Sequence, residues 1–135
     1  MTGSPHQLVN PDTLAPAVGY SHAVLAAPGR TVYLGGQIAS DPEGVCRGGT
    51  LVEQFGLALG NVVRALAAAG ATPEHLVSLH IFVTDADAYR AALPELGDRY
   101  RDRLGRHYPA ISFFEVKGLF DPAALVELVG IAVVP

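Results

Sequence analysis

One residue stands out for its chemistry, because nothing around it explains its presence. Glu127 lies inside Leu125–Val134, a run that is otherwise apolar. In an extended chain side chains alternate between faces. Glu127 therefore shares a face with Leu125, Val129, Ile131 and Val133, while Val126, Leu128, Gly130, Ala132 and Val134 take the other. A carboxylate in such a strand must be paired, hydrogen-bonded or shifted upward in pKa. Two readings stand: a salt bridge or watered interface contact, or a general acid/base in a desolvated pocket. Tyr20, after Gly19 in a turn-like stretch, is either a pocket hydroxyl or a packed loop residue. His22 and His80 are each a candidate base or a hydrogen-bonded structural residue. Gly35-Gly36-Gln37 would let backbone N–H groups approach a ligand, but it lacks the spacing of a phosphate loop or dinucleotide fingerprint. Cys46, the single cysteine, sits in a Gly-rich segment and reads as a structural thiol. The scattered histidines show no ligand spacing, so no metal site is expected.

These residues need elements to position them. His22–Ala26 and Thr31–Leu34 read as short strands separated by a Pro28-Gly29 turn, and loops follow at 41–44 and 48–49. Thr50 and Glu53 form a capping box for a helix with a stripe of Val52, Phe55, Leu59, Val62, Leu66 and Ala69, closed by Gly70. Gly56 and Gly60 within it are expected to permit close packing on a sheet. Leu76–Val83 reads as a strand with Val77, Leu79, Ile81 and Val83 on one face and Ser78, His80 and Phe82 on the other. Asp85 or Asp87 caps a second helical region, whose stripe is Tyr89, Leu93, Leu96, Tyr100 and Leu104; Pro94 kinks it or starts a second piece. Residues 110–116 and 124–134 are further strands. The order is β-β-α-β-α-β-β, with room for an extra N-terminal strand. An α+β domain follows, a single mixed sheet with two helices packed on one face. Ile111/Phe113 and Val129/Ile131/Val133 are expected to leave the second face apolar, and such a face calls for a partner subunit.

The bulk properties agree. A chain of 135 residues suits one domain, 1–135, yet it is 50 % hydrophobic and 16 % charged, with a mean hydropathy of +0.30. Surplus apolar surface points to an oligomer interface. No uninterrupted apolar run approaches the roughly 18 residues of a membrane span. The N-terminus has neither the basic nor the apolar region of a signal peptide, and a cytoplasmic location is expected. The net charge of −4 and pI near 5.6 argue against nucleic-acid binding. Arg99, Arg101, Arg103 and Arg106 alternate with Asp98 and Asp102 and read as a solvated helix face.

Several short motifs, in order along residues 15 to 133, resemble one family. Ala15-Pro16 with Gly19-Tyr20-Ser21-His22-Ala23 resembles the AP…GPYSQA signature of the YjgF/YER057c/UK114 (Rid) family. Leu34-Gly35-Gly36-Gln37-Ile38 resembles its SGQI strand end, and Glu53-Gln54, Leu59-Gly60-Asn61-Val62 and Ala68-Ala69-Gly70 its first helix. Phe82-Val83-Thr84-Asp85, Pro109-Ala110, Val126-Glu127-Leu128 and Ile131-Ala132 match later landmarks. The resemblance implies a chorismate-mutase-like fold, a homotrimer with pockets between subunits, and cofactor-free hydrolysis of reactive enamines and imines. It places Tyr20, Gly36 and Glu127 at pocket positions.

The departures bear on substrate. Active family deaminases read P-A-R where this chain reads Pro109-Ala110-Ile111, so Ile111 stands where an arginine would bind the substrate carboxylate. Phe113 replaces a frequent cysteine, Leu93 or Pro94 replaces a pocket asparagine, the proline of G-P-Y is missing, and His22 replaces its glutamine. Breaking a buried carboxylate–arginine pair costs on the order of 3–5 kcal/mol, so a small imino acid would bind poorly. The expectation is an enzyme for a larger, more apolar imine, enamine or related intermediate, with Glu127 as acid/base and Tyr20 assisting. Gly36, Ile111, Phe113, Leu93 and His22 would line its pocket. The alternative is a small-molecule-binding or accessory trimer without chemistry. The endoribonuclease role ascribed to some relatives fits poorly with the acidic charge.

Overall fold

Thr50 starts the longest helix as its sequence requires. In the computed structural model, which describes residues 3–135, α1 spans Leu51–Ala68. Thr50 Oγ1 accepts the Glu53 amide at 3.2 Å, and the Glu53 carboxylate accepts the Gly49 amide and the Thr50 hydroxyl. Gly70, at φ 79°, lets the chain leave the helix. Phe55, Leu59, Val62 and Leu66 are buried in the core. α1 just reaches the length and mean hydropathy (1.2) of a membrane span, but its apolar stripe is spent on that core. Gly56 and Gly60 do not face the sheet. They make room for the side chains of Arg99 and Arg103 from the neighbouring helix α3 (Leu93–Leu104), which a β-carbon at either glycine would approach to 3.2–3.3 Å.

Short strands β1 (Gln7–Val9) and β2 (Ala23–Leu25) pair with each other as a ribbon, which supplies the extra N-terminal strand. The main sheet has the order β3-β6-β4-β5, from β3 (Arg30–Tyr33), β4 (Leu76–Val83), β5 (Ala110–Glu115) and β6 (Val126–Val134). β6 runs antiparallel to both neighbours, and β4 and β5 are parallel, so the sheet is mixed. The β4–β5 crossover contains α2 (Ala86–Ala91) and α3. Asp85 caps α2, accepting the Ala88 amide at 3.0 Å. Pro94 begins a new helix, since a proline fits a first turn and breaks an interior one.

Two expectations about faces change. A bulge between Leu76 and Ser78 shifts the phase of β4, so Leu76 enters the core and Val77 is half-buried. Ile111 and Phe113 are not on the uncovered face. They pair with Leu79 and Ile81 in parallel register and so share the helix-covered face. Alternation tells which residues share a face; only strand register tells which face it is. The opposite face carries Glu127, Val129, Ile131, Phe82 and Phe114, with Tyr33 and Phe114 77 % and 42 % exposed.

Candidate functional site

Pockets form where loops are tied to rigid strands. The loop carrying Tyr20 is stitched to the head of β5: Ser21 donates its amide to the Pro109 carbonyl at 2.9 Å and its hydroxyl to the Tyr108 carbonyl at 2.7 Å. Gly19, at φ 75°, makes the turn that precedes Tyr20. Tyr20 thereby joins Ile111, Phe113 and Leu93 around one cavity of about 650 Å³ between α3, β5 and this loop. Tyr89 of α2 packs on Phe113 at 4.6 Å between ring centroids, and Tyr100 stacks on Tyr108 at 5.2 Å. The Tyr100 hydroxyl is consumed by the His107 carbonyl at 2.6 Å, and burial pushes the phenols of Tyr100 and Tyr89 upward in pKa. They line the cavity as neutral groups.

His22 does not line this cavity. Its ring nitrogen Nε2 donates to the Ala15 carbonyl at 2.6 Å, and its ring meets Tyr20 edge-on at 5.2 Å. It braces the tyrosine's loop, which a pattern of residue types alone does not reveal.

Glu127 lies on the other side of the sheet. Its strand neighbour is Phe82, which stacks on Phe114. His80 shares this face, its ring edge-on to both phenylalanines. Among the described residues the Glu127 carboxylate has no hydrogen bond or ion pair, so no partner within the protomer neutralises it. Beside it runs the segment after β3. Leu34 donates to the Gly130 carbonyl, and Gln37 exchanges two backbone hydrogen bonds with Leu128 at 2.8 and 2.9 Å. The Asn61 side chain on α1 holds the continuation by donating to the carbonyls of Ile38 and Ser40, both at 2.9 Å. Gly36 is thereby fixed against the Glu127 carboxylate, where any β-carbon would collide with it.

The predicted site residues thus fall into two sets. Tyr20, Ile111, Phe113 and Leu93 surround a cavity on the helix-covered face, and Gly36 and Glu127 lie together on the open face. Sequence reasoning missed Arg101, Tyr89 and Tyr108 as cavity residues. The Tyr89–Tyr100 stripe signalled a buried helix face but not a void beside it. Cys46 is half-buried in the loop that pairs Ser40 with Cys46, and burial raises its thiol pKa, as for an inert cysteine.

A family model described as Endoribonuclease L-PSP matches residues 11–134. The chain is similar to a 2-iminobutanoate/2-iminopropanoate deaminase of Capra hircus, with 33 % identity over 87 % of this chain and 82 % of that protein. It is also similar to the solved structure of a Rid-family protein of unknown function from Yersinia pestis, YyfB, at a TM-score of 0.86 and 34 % identity, covering 96 % and 98 % of the two chains. A Mycobacterium tuberculosis member of the YjgF/YER057c/UK114 family superimposes at a TM-score of 0.64 with 31 % identity, covering 96 % and 99 %. The match over nearly the whole chain, with the mixed sheet and helices in place, shows that this protein belongs to the YjgF/YER057c/UK114, or Rid, family.

Proposed function

We propose that the protein hydrolyses a reactive imine or its enamine tautomer, without a cofactor, at a site completed between subunits of a homotrimer. The observation that carries this reading is the space kept clear at Gly36 for an unpartnered, half-buried carboxylate, Glu127. A carboxylate without a partner in its own protomer is free to meet a bound molecule or water. Relatives named as 2-iminobutanoate/2-iminopropanoate deaminases support the chemistry.

The sheet separates Glu127 from the cavity within one protomer. The edge position of β5 and the uncovered apolar face support an assembly in which Glu127 and Gly36 of one copy complete the cavity of another. An imine carbon is already electrophilic, so water needs positioning and proton transfer. Glu127 would take a proton from water as its oxygen bonds to the imine carbon, and the nitrogen would take a proton from solvent, giving a carbinolamine whose hydroxyl proton later returns to solvent. Transfer of the held proton to nitrogen, with loss of the hydroxyl proton, breaks the C–N bond. The balance is C=NH plus H2O to C=O plus NH3. Tyr20 would orient the substrate or the water from the cavity side.

The test is release of keto compound and ammonia from enzymatically generated 2-iminopropanoate and from a larger imine bearing a phenyl group. Wild type is compared with Glu127→Gln, which keeps shape and removes the base. Acceleration lost in the variant, by roughly 10²–10⁴-fold, is expected. Acceleration that survives in Glu127→Gln, or none above buffer with either substrate, sinks the reading. With no acceleration for either substrate, a non-catalytic binding role would stand.

A further inference from the structure

The cavity beneath α3 is aromatic and aliphatic except for one charged side chain, Arg101. We propose that Arg101 is an anion anchor, and that the cavity binds a monocarboxylate bearing a bulky apolar group, best an aromatic one. This rests on the reading above that the cavity is the substrate-binding half of the site.

The arginines of α3 are not equivalent. Arg99 and Arg103 extend over Gly56 and Gly60 of α1, away from the cavity. Arg101 alone turns to the cavity, and its guanidinium is flanked by two lining residues, Gly97 and Tyr108. A β-carbon at position 97 would stand 3.2 Å from Arg101 Nη1, so glycine there gives the guanidinium its place along the helix. Its hydrogen bond to Asp98 favours its charged form.

The guanidinium already meets one carboxylate, its Nη2 donating to Asp98 Oδ1 at 2.7 Å. That pair spans i,i+3 on the helix surface, with the Asp98 side chain 72 % exposed, and such a pair is weak in water. A guanidinium has five N–H donors, so the bond to Asp98 leaves others for a second carboxylate. The remainder of the cavity sets the size of the ligand. Its volume of about 650 Å³ lies within the range of pockets for drug-sized molecules, about 300–1,000 Å³. Tyr89, Phe113 and Ile111 offer faces and edges on which an aromatic ring packs, and a two- or three-carbon acid would touch few of them. Ile111 makes room for that ring, while the positive charge sits one element away on α3.

Calorimetric titration of the assembled protein tests this with three stable probes: 3-phenylpropanoate, 2-phenylethanol and acetate. The first carries ring and carboxylate, the others one feature each. 3-Phenylpropanoate should bind most tightly. Arg101→Gln should weaken it roughly ten- to hundredfold, the loss of a charge-assisted hydrogen bond, and leave 2-phenylethanol unchanged. Asp98→Asn should tighten it severalfold by removing the competing carboxylate, an opposite shift that a purely structural arginine would not produce. Tight binding of 3-phenylpropanoate by wild type that shows no turnover in the imine assay counts against the catalytic reading alone. The anchor is overturned if 3-phenylpropanoate binds no more tightly than 2-phenylethanol. It is equally overturned if Arg101→Gln weakens both alike, or if none of the probes binds.

Discussion

Gly36 rests so closely on Glu127 that a β-carbon on the glycine would fall 2.7 Å from the carboxylate carbon, and nearer still to Oε2. Even alanine must push the carboxylate aside. Gly36→Ala should therefore lower turnover on an accepted imine by roughly 10²-fold, the cost of misplacing a reacting group by about an ångström. Its effect on thermal stability should be small, because the displaced group is the end of a flexible side chain. An alanine variant as active as wild type would show that the position of Glu127 does not matter to the reaction.

The two halves of the proposed site lie on opposite faces of one sheet, which makes complementation a direct test. Glu127→Gln and a cavity-filling Ile111→Trp should each be inactive as homomers. Unfolded together and refolded as a mixture, they should regain a fraction of wild-type activity, because some interfaces then pair an intact cavity with an intact glutamate. Activity assays across mixing ratios, with oligomeric state followed by light scattering, read this out. A mixed oligomer as inactive as its components would show that Glu127 and the cavity do not form one shared site.

Gln54 ties the start of β6 to α1. Its amide donates to the carbonyls of Gly48 and Ala123, and its Oε1 accepts the Leu125 amide at 2.8 Å, in a position only 3 % exposed. Gln54→Leu keeps the volume and strands these backbone groups. Each unpaired group costs about 1–3 kcal/mol, so urea unfolding should show a loss on the order of 3 kcal/mol or more. A loss below about 1 kcal/mol would mean that the backbone finds water instead.

His107 is buried, with Nε2 donating to the Leu76 carbonyl at 2.8 Å. Burial, the largest influence on it, lowers its pKa below the ordinary 6.5. Above that value both folded and unfolded chains hold it neutral, and folding pays no proton penalty. As the pH falls below about 6.5 the unfolded chain takes up a proton that the folded chain refuses, so stability declines until the folded pKa is passed. Melting temperatures between pH 7.5 and 5 should fall for wild type and fall less for His107→Gln, which can still donate to Leu76. Parallel curves would contradict the assignment.

The legible parts of this fold were those fixed by period and punctuation. Thr50, Glu53 and Gly70 bounded α1, and alternation placed Glu127 on the same face as Val129 and Ile131. What stayed hidden depends on neighbours distant in sequence. The parallel register of β4 and β5 decides that Ile111 faces the helices, and nothing local in Pro109-Ala110-Ile111 encodes that. Gly56 and Gly60 looked like sheet contacts because their true partners, Arg99 and Arg103, come from another helix. The alternating charges at 98–103 suggested a uniform wet face, yet the turn of α3 sends Arg101 to the cavity and its neighbours to α1.

The bulge at Val77 gives β4 an unusual tolerance. Leu76 and Leu79 both face the core although three positions separate them, so the strand holds one residue more than strict alternation would use. Removing Val77 would bring Leu76, Leu79, Ile81 and Val83 into an unbroken two-residue rhythm on the same partners. At this place in the central sheet the chain can be shortened by one residue with its buried face intact, whereas an insertion or deletion a few residues later would turn Ile81 and Val83 outward and invert the strand that separates Glu127 from the cavity.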